Sequence, residues 1–145
     1  MQFLKKVCPV IFFAFLGLPC WCAAKNVQVK YEPSLVELKG KLEMQTFPGL
    51  PNYESIASGD EAEKGFYLEL DHPIDVIGDK SDPGENAQTE LHVKVLQLAT
   101  SHDDGTWDQV HRAGVGAHVT IDGTLFHRLS GHNHSRVLLS VHRIN

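Results

Sequence analysis

The feature that most constrains the fold is a stretch near the end of the chain, residues 116–141, which reads GAHVTIDGTLFHRLSGHNHSRVLLSV. Both ends of this stretch place an apolar side chain at every second position, at Ala117, Val119 and Ile121 and then at Val137, Leu139 and Val141. A period of two is typical of half-buried strands. The stretch therefore predicts two strands that bracket a loop.

That loop carries the densest cluster of titratable side chains in the sequence. His127, His132 and His134 lie within eight residues of one another, beside Gly131. Imidazoles bind metals and exchange protons near neutral pH. We expect a functional site, if the chain has one, to include this segment.

Three earlier runs also have the period of strands. Residues 35–42 alternate, and Gly40 within them predicts a bulge or a sharp bend. Residues 66–77 alternate through Pro73, which predicts an edge or a bulge at that position. A third alternating run covers residues 91–95.

One segment has the signals of a helix. Thr106 precedes Trp107, and Gln109 follows Thr106 by three residues, which is the spacing of a capping box. Gly114 is suited to end the helix. A helix of about two turns is too short to be stable alone, so we expect Trp107 and Val110 to pack it against a sheet.

This order of elements predicts the fold. Three strands, a short helix and two further strands form an all-β chain with one helix, and a helix between the third and fourth strands is the connectivity of a five-stranded OB-like Greek-key barrel. The same strands with a different pairing could form a small open β-sandwich.

The first 24 residues predict a signal peptide. Lys5 and Lys6 form a positive n-region, residues 10–18 form a short apolar region, and Ala24 is a small residue for cleavage. The segment is too short for a spanning helix. We therefore expect 1–24 to be removed, 25–145 to form a single OB-like domain without stable membrane insertion, and the protein to be periplasmic or secreted.

Cleavage would change what the composition implies. All three cysteines, Cys8, Cys20 and Cys22, lie in the predicted signal, so the mature chain would have no thiol for a disulfide, for catalysis or for a metal. Loss of Lys5 and Lys6 would take the formal net charge from −5 to −7. Such a charge repels phosphate backbones, so we expect no nucleic-acid partner.

On the barrel connectivity, two loops lie on the same rim, the 47–55 loop and the 127–134 loop. Prolines and a glycine stiffen the first loop, which lets it present its side chains at low entropic cost. The candidate ligand-binding residues from the two loops are Phe47, Asn52, Tyr53, Glu54, His127, His132 and His134. We expect Tyr53 or Asn52 to contact His132, His134 or the backbone that joins them.

The histidines allow two interpretations. Three neutral imidazoles with an open fourth position are the ligands of a catalytic zinc site, so His127, His132 and His134 are metal candidates. The sequence Gly-His-Asn-His-Ser is also a good turn whose side chains bond to their own backbone. We favour the structural interpretation and expect no cofactor.

Nucleophilic catalysis has weaker signals. Ser130, Ser135 and Ser140 lie near histidines, but none stands in a G-x-S-x-G elbow. The acidic run of Asp60, Glu61 and Glu63 reads as a solvated loop. We therefore assign no catalytic residue and expect a protein that is not an enzyme.

Two long motifs carry a resemblance to a known family. They read F-P-G-L-P-N-Y-E-S-I-x-x-G-D-x-x-E at 47–63 and G-T-L-F-H-x-x-x-G-H-N-H-S-x-V-L-L at 123–139. Together they resemble an exported bacterial family known as domain-of-unknown-function family 4431. That family more often has G-H-H-H-T where this chain has Asn133 and Ser135. The resemblance implies the fold and export and leaves the function open.

Three functions follow from these features. The leading prediction is an exported periplasmic binding module whose ligand, a small molecule or a wall fragment, lies between the 47–55 and 127–134 loops. The second is an interaction or inhibitor protein that uses the same loops against an envelope protein. The third is a metal-dependent enzyme centred on the histidine cluster.

Overall fold

The computed structural model describes residues 25–100 and 105–145, and the predicted signal peptide lies outside them. Six strands, one α-helix and two single 3-10 turns follow one another in the described chain. The strands are β1 (Val27–Lys30), β2 (Leu35–Pro48), β3 (Ala62–Ile77), β4 (Glu90–Ala99), β5 (His118–His127) and β6 (Val137–Ile144), the helix is α1 (Thr106–Ala113), and the 3-10 turns are Ile56–Ser58 and Glu85–Ala87. The predicted all-β class with one short helix is confirmed. None of the described helices is long and apolar enough to cross a membrane.

Five of the strands close into a barrel. β3 pairs antiparallel with β2 and with β4, β5 pairs antiparallel with β2 and with β6, and a parallel pairing of β4 with β6 completes the circle. β1 lies outside this circle, parallel to the second half of β3. The helix connects the third and fourth strands of the barrel, as the sequence predicts. The barrel is closed, so the open sandwich is not the architecture.

Gly40 is the point at which β2 bends around the barrel. β2 pairs with β5 over residues 35–41 and with β3 over residues 40–48, so its partner changes at this glycine. A Cβ atom at Gly40 would lie 2.1 Å from the carbonyl oxygen of Glu69. Only glycine permits this close crossing of two strands, which confirms the predicted bend.

The core lies inside the barrel and under the helix. The side chains that are completely buried come from every barrel strand and from the helix, and include Leu42, Leu68, Leu96, Ile121, Leu125, Leu139 and Val110. Full burial of one such side chain contributes about 1.5–3 kcal/mol. The helix also sets Trp107 edge-on against Phe66, with ring centroids 5.4 Å apart. Val110 and Trp107 therefore hold the helix as expected.

The irregularity at Pro73 is also observed. The pairing of β3 with β4 shifts register between Glu69 and Ile74, on either side of the proline. From Ile74 onward β3 also pairs with the outer strand β1. The proline therefore lies where β3 leaves regular pairing with one neighbour, consistent with its lack of a backbone donor.

Three details differ from the sequence-based predictions. The helix begins at Thr106 with Gly105 as its N-cap, so the predicted capping box is wrong; Thr106 is almost fully buried in the first turn. β2 runs to Pro48, so Phe47 lies in a strand rather than in a loop. β1 was not predicted, because four residues of V-Q-V-K carry too little periodicity to identify a strand.

Candidate functional site

Two loops from distant parts of the chain meet at one end of the barrel. We call residues 49–61, between β2 and β3, the first rim loop, and residues 128–136, between β5 and β6, the second rim loop. The hydroxyl of Tyr53 lies 3.1 Å from Nε2 of His132, although 79 residues separate the two. Their rings meet edge-on with centroids 5.4 Å apart. The predicted contact between the two loops is confirmed.

Backbone geometry brings Tyr53 into this contact. Tyr53 has a φ of 58°, in the left-handed region that non-glycine residues seldom adopt. A Cβ atom on Gly131 would lie 3.4 Å from the ring carbon that bears the Tyr53 hydroxyl. The aromatic ring thus lies directly against the backbone of the second rim loop. An uncommon backbone conformation of this kind is often found at functional positions.

Glu63, the second residue of β3, joins the second rim loop to the barrel wall. One carboxylate oxygen lies 2.8 Å from Nδ1 of His132, and the other lies 3.3 Å from Nε2 of His134. Phe47, which pairs with Glu63 across β2 and β3, stacks on the His134 ring at 4.3 Å with an interplanar angle of 5°. Phe47, Tyr53, His132 and His134 thus form one continuous cluster around a carboxylate.

The first rim loop is organised from within by Asp60. One oxygen of this carboxylate accepts from the amide of Asn52 and the other from the amides of Glu54 and Ser55, at 2.8–3.0 Å. The backbone amides of Ser55 and Glu54 hold the pKa of Asp60 below its ordinary value of 3.8. Asp60 is only 5% exposed, so the interpretation of this acidic run as solvated is wrong for Asp60. Asn52 also donates its side-chain amide to Asp60.

The second rim loop takes its shape from Asn133 and from a side chain of β4. The Asn133 side-chain oxygen accepts from two loop amides, the closer being that of Leu129 at 2.8 Å. Gln97 donates to the carbonyl of His132 at 3.0 Å and accepts from the amide of His134 at 2.7 Å. A single amide side chain therefore fixes the backbone on both sides of Asn133.

His127 has different surroundings from the other two predicted histidines. It is the last residue of β5, is 4% exposed, and its Nε2 lies 3.1 Å from Glu90. Burial raises the pKa of Glu90, but hydrogen bonds from His127 and Arg136 outweigh it and the net shift is downward. Burial, with the charge of Glu90, raises the pKa of nearby Tyr31 to about 12. His127 thus belongs to a buried polar cluster behind the rim.

The three metal candidates do not share one partner. His132 and His134 both bond to Glu63, whereas His127 bonds to Glu90. In residues 25–100 and 105–145, no group of three or more histidines, cysteines or carboxylates is arranged to hold a metal ion.

A groove of about 620 Å³ opens beside the Tyr53 ring. Tyr53 lines it from the first rim loop, Leu129 and Asn133 line it from the second, and His127 lines it from the end of β5. Glu54 does not line this groove and is exposed. The predicted residues therefore divide into those at the groove and those that support or flank it.

Sequence reasoning missed three residues that build the site, Asp60, Glu63 and Gln97. The first two lie within the motif at 47–63, so the motif itself was a signal that this acidic run has a structural role. Gln97 lies beyond the alternating run predicted at 91–95, and nothing near it in sequence indicates a partner 35 residues away.

The fold and this rim define a closed β-barrel domain with a candidate binding surface at one end. Residues 95–145 match the family described as Domain of unknown function (DUF4431), which confirms the resemblance over about a third of the chain, including the second rim loop. No curated protein matches the chain. The family description carries no activity.

Proposed function

We propose that this protein is an exported OB-like binding module that holds its ligand between the 47–55 and 127–134 loops. The strand connectivity supports the OB-like assignment, because the third and fifth barrel strands are parallel neighbours and the helix lies between the third and fourth. In OB-folds, the loops that follow the first and fourth barrel strands border the ligand face. The two rim loops occupy these positions.

The observation that carries the proposal is the direct bond between the loops. Tyr53 and His132 meet at 3.1 Å across 79 residues of chain, and Glu63 ties the same histidine to the barrel. A ligand site needs several polar groups that converge and hold their positions. Here the edge of the Tyr53 ring, two imidazoles and the groove lie together. The loops that carry these groups are held in place by hydrogen bonds.

The chemistry of the rim favours an uncharged polar ligand such as a wall fragment or a small solute. The groove offers the Tyr53 ring, the side chain of Asn133 and exposed backbone of the second rim loop, and its two charged lining residues, Glu85 and Arg128, are of opposite sign. Aromatic and amide groups of this kind suit sugar rings and peptide groups, which combine flat apolar faces with hydrogen-bonding edges. The net charge of −5 opposes binding of nucleic acid.

A titration followed by amide NMR tests this function. Soluble peptidoglycan fragments, chito-oligosaccharides and short peptides would be added separately to ¹⁵N-labelled protein of residues 25–145. We expect one class to shift amides of both rim loops in a saturable way, and Tyr53→Ala to weaken that binding. His118→Gln is the matched control and should bind normally, because the exposed side chain of His118 bonds only Asp71 among the described residues. Shifts confined to β1 or to the helix would place the ligand elsewhere and contradict the proposal.

A protein partner is the second candidate, and one observation favours it. Leu50 and Ile56 of the first rim loop and Leu129 of the second are 51%, 43% and 75% exposed. Exposed apolar side chains beside a polar groove are typical of protein-binding surfaces. A photo-crosslinker at Leu129 would capture one envelope protein if this function is correct, while no soluble wall fragment would shift the rim amides.

Export rests on the n-region, the apolar run and Ala24. Intact-mass measurement of protein from the periplasm or the medium should show a chain that begins at or near Lys25 and has no free thiol. A mass that includes the first 24 residues would contradict cleavage.

The metal-dependent enzyme has a direct test. A zinc site would raise the melting temperature with zinc concentration, by mass action on the folded state. We expect no such rise, because His127 is paired with Glu90 and is apart from the His132 and His134 pair.

A further inference from the structure

His132 differs from the other histidines of the described chain in the hydrogen-bond partners of its ring nitrogens. Its Nδ1 lies 2.8 Å from the Glu63 carboxylate and its Nε2 lies 3.1 Å from the Tyr53 hydroxyl. By contrast, His118 meets only a carboxylate, and meets it through Nε2. His127 has a carboxylate hydrogen bond at Nε2 and none at Nδ1. Among the histidines of residues 25–100 and 105–145, only His132 joins a carboxylate to a hydroxyl through its two ring nitrogens.

The partners determine where the protons lie. An ionised carboxylate only accepts hydrogen bonds, so Nδ1 of the neutral His132 ring carries the proton that it donates to Glu63. Nε2 then has a free lone pair, which accepts the hydrogen bond from the Tyr53 hydroxyl. A carboxylate on Nδ1 and a hydroxyl on Nε2 is the arrangement in which an imidazole acts as a general base toward a nucleophile, and geometry rather than sequence order defines it.

The backbone of the second rim loop near the Tyr53 ring supplies groups suited to a reacting carbonyl. Gly131 lies against the ring carbon that bears this hydroxyl and has no side chain to obstruct an approach. The backbone amides of Gly131 and His132 make no hydrogen bond within the described residues, and both residues are exposed. Unpaired amides next to a nucleophile are the type of donor that stabilises an oxyanion. Tyr53 and Gly131 both line the groove, which gives a substrate access to them.

We propose that Tyr53 is the nucleophile of an acyl-transfer site, with His132 as its general base and Glu63 as the positioning residue, and that the substrates are carboxylic esters. This activity goes beyond ligand binding and does not depend on it. Tyr53 and His132 are the catalytic residues because they touch the reacting atoms.

The reaction has two balanced steps. In the first, the Tyr53 oxygen bonds to the acyl carbon, its proton passes to Nε2 of His132, and the ester's C–O bond breaks as that proton moves to the departing alcohol. In the second, His132 removes a proton from water, the water oxygen bonds to the acyl carbon, and the carboxylic acid leaves as Tyr53 regains its proton. Phenol has a pKa of about 10, so a tyrosyl ester is hydrolysed more readily than an ester of an aliphatic alcohol.

The test uses p-nitrophenyl acetate with protein of residues 25–145. We expect an initial burst of p-nitrophenolate, followed by slower turnover, with one acetyl group on the peptide that contains Tyr53 after acid quenching and mass spectrometry. The burst should be faster in mildly alkaline than in acidic buffer, because only a neutral imidazole can accept the proton of a tyrosine.

Four variants separate this chemistry from an inert hydrogen bond. Tyr53→Phe should abolish the burst, and His132→Gln should slow it by about 100-fold, the scale of general-base catalysis. Glu63→Gln should slow it less and should shift the pH profile, since it removes the charge that orients the ring. His118→Gln should leave the burst unchanged, because the side chain of His118 bonds only to Asp71 within the part of the chain that the structure describes.

Melting curves would confirm that each variant is folded. Acetylation of lysines without acetylation of Tyr53 in folded wild-type protein would overturn the proposal, and so would a Tyr53→Phe burst equal to that of the wild type. The binding function would survive either result, because it is measured through the amides of the rim loops. If those amides show no ligand while Tyr53 is acetylated, the binding proposal fails and the acyl-transfer site stands.

Discussion

The two rim loops touch each other but are held in place in different ways. The first loop is held by Asp60, whose partners all lie within eight residues of it in the chain. The second loop depends on Gln97, which reaches it from a strand 35–38 residues away. The first is therefore a local platform that carries Tyr53, while the second adopts its shape only when β4 is in place beside it.

Because each loop is held separately, Tyr53 and His132 can meet although they are far apart in the chain. The backbone at Tyr53 is fixed by a loop with its own internal hydrogen bonds. His132 is fixed by the barrel, through Gln97 at its carbonyl and Glu63 at its ring. The contact therefore joins Tyr53, whose position depends on its own loop, to His132, whose position depends on the folded barrel. Such a site becomes complete only when the barrel closes.

Removal of Asp60 should have the largest effect, because it leaves three backbone amides of the first loop without their acceptor. We expect Asp60→Ala to lower the melting temperature by roughly 5 °C or more and to speed hydrogen exchange throughout residues 50–56. Glu61→Gln is the matched control, since Glu61 is the exposed acidic neighbour. Equal effects of the two changes would show that Asp60 does not organise the loop.

The same carboxylate gives the first loop a pH dependence. The pKa of Asp60 is lowered in the folded protein, so its contribution to stability is fully present above its ordinary value of 3.8. That contribution is lost as the pH falls below 3.8 toward the depressed folded value. We expect urea titrations from pH 6 down to pH 3 to show a loss of stability that is smaller in Asp60→Asn. A variant with the wild-type slope would contradict the assignment.

The strands follow from the sequence because a period of two is a local property. The burial of His127 was also accessible by this rule, since His127 continues the inward positions of β5 after Val119, Ile121 and Leu125. Its clustering with His132 and His134 in the chain obscured this register. The proximity of the three histidines in sequence suggested one site. In the strand, however, alternate side chains face opposite sides, so His127 faces the inside of the barrel.

The functional contacts could be predicted only in part. The connectivity placed Tyr53 beside His132, but Glu63 read as one member of a solvated acidic run. Its role depends on β3 beginning at Ala62, which faces Glu63 toward two histidines about 70 residues away. Gln97 has no local signal either, because an amide side chain in a strand has no preferred partner until the neighbouring loop is in position.

Gln97→Ala should have a smaller effect, confined to the second loop. Loss of the bonds to the His132 carbonyl and the His134 amide should cost about 1–2 kcal/mol in the free energy of unfolding. The rate of amide hydrogen exchange should increase at residues 130–135 and remain unchanged at 50–56. Gln88→Ala is the control, because Gln88 donates only to the exposed Glu85. Faster exchange in both loops would show that they are held as one unit. That result would contradict separate support of the first loop by Asp60 and of the second by Gln97.

The two rim loops form one surface through Tyr53 and His132. A double-mutant cycle on Tyr53→Phe and His132→Ala, measured by urea unfolding of residues 25–145, tests it most directly. Residues in contact couple, so we expect the double variant to depart from the sum of the single variants by about 0.5 kcal/mol or more. Effects that add to within about 0.3 kcal/mol would mean that the two side chains do not interact in solution, and would contradict the shared surface.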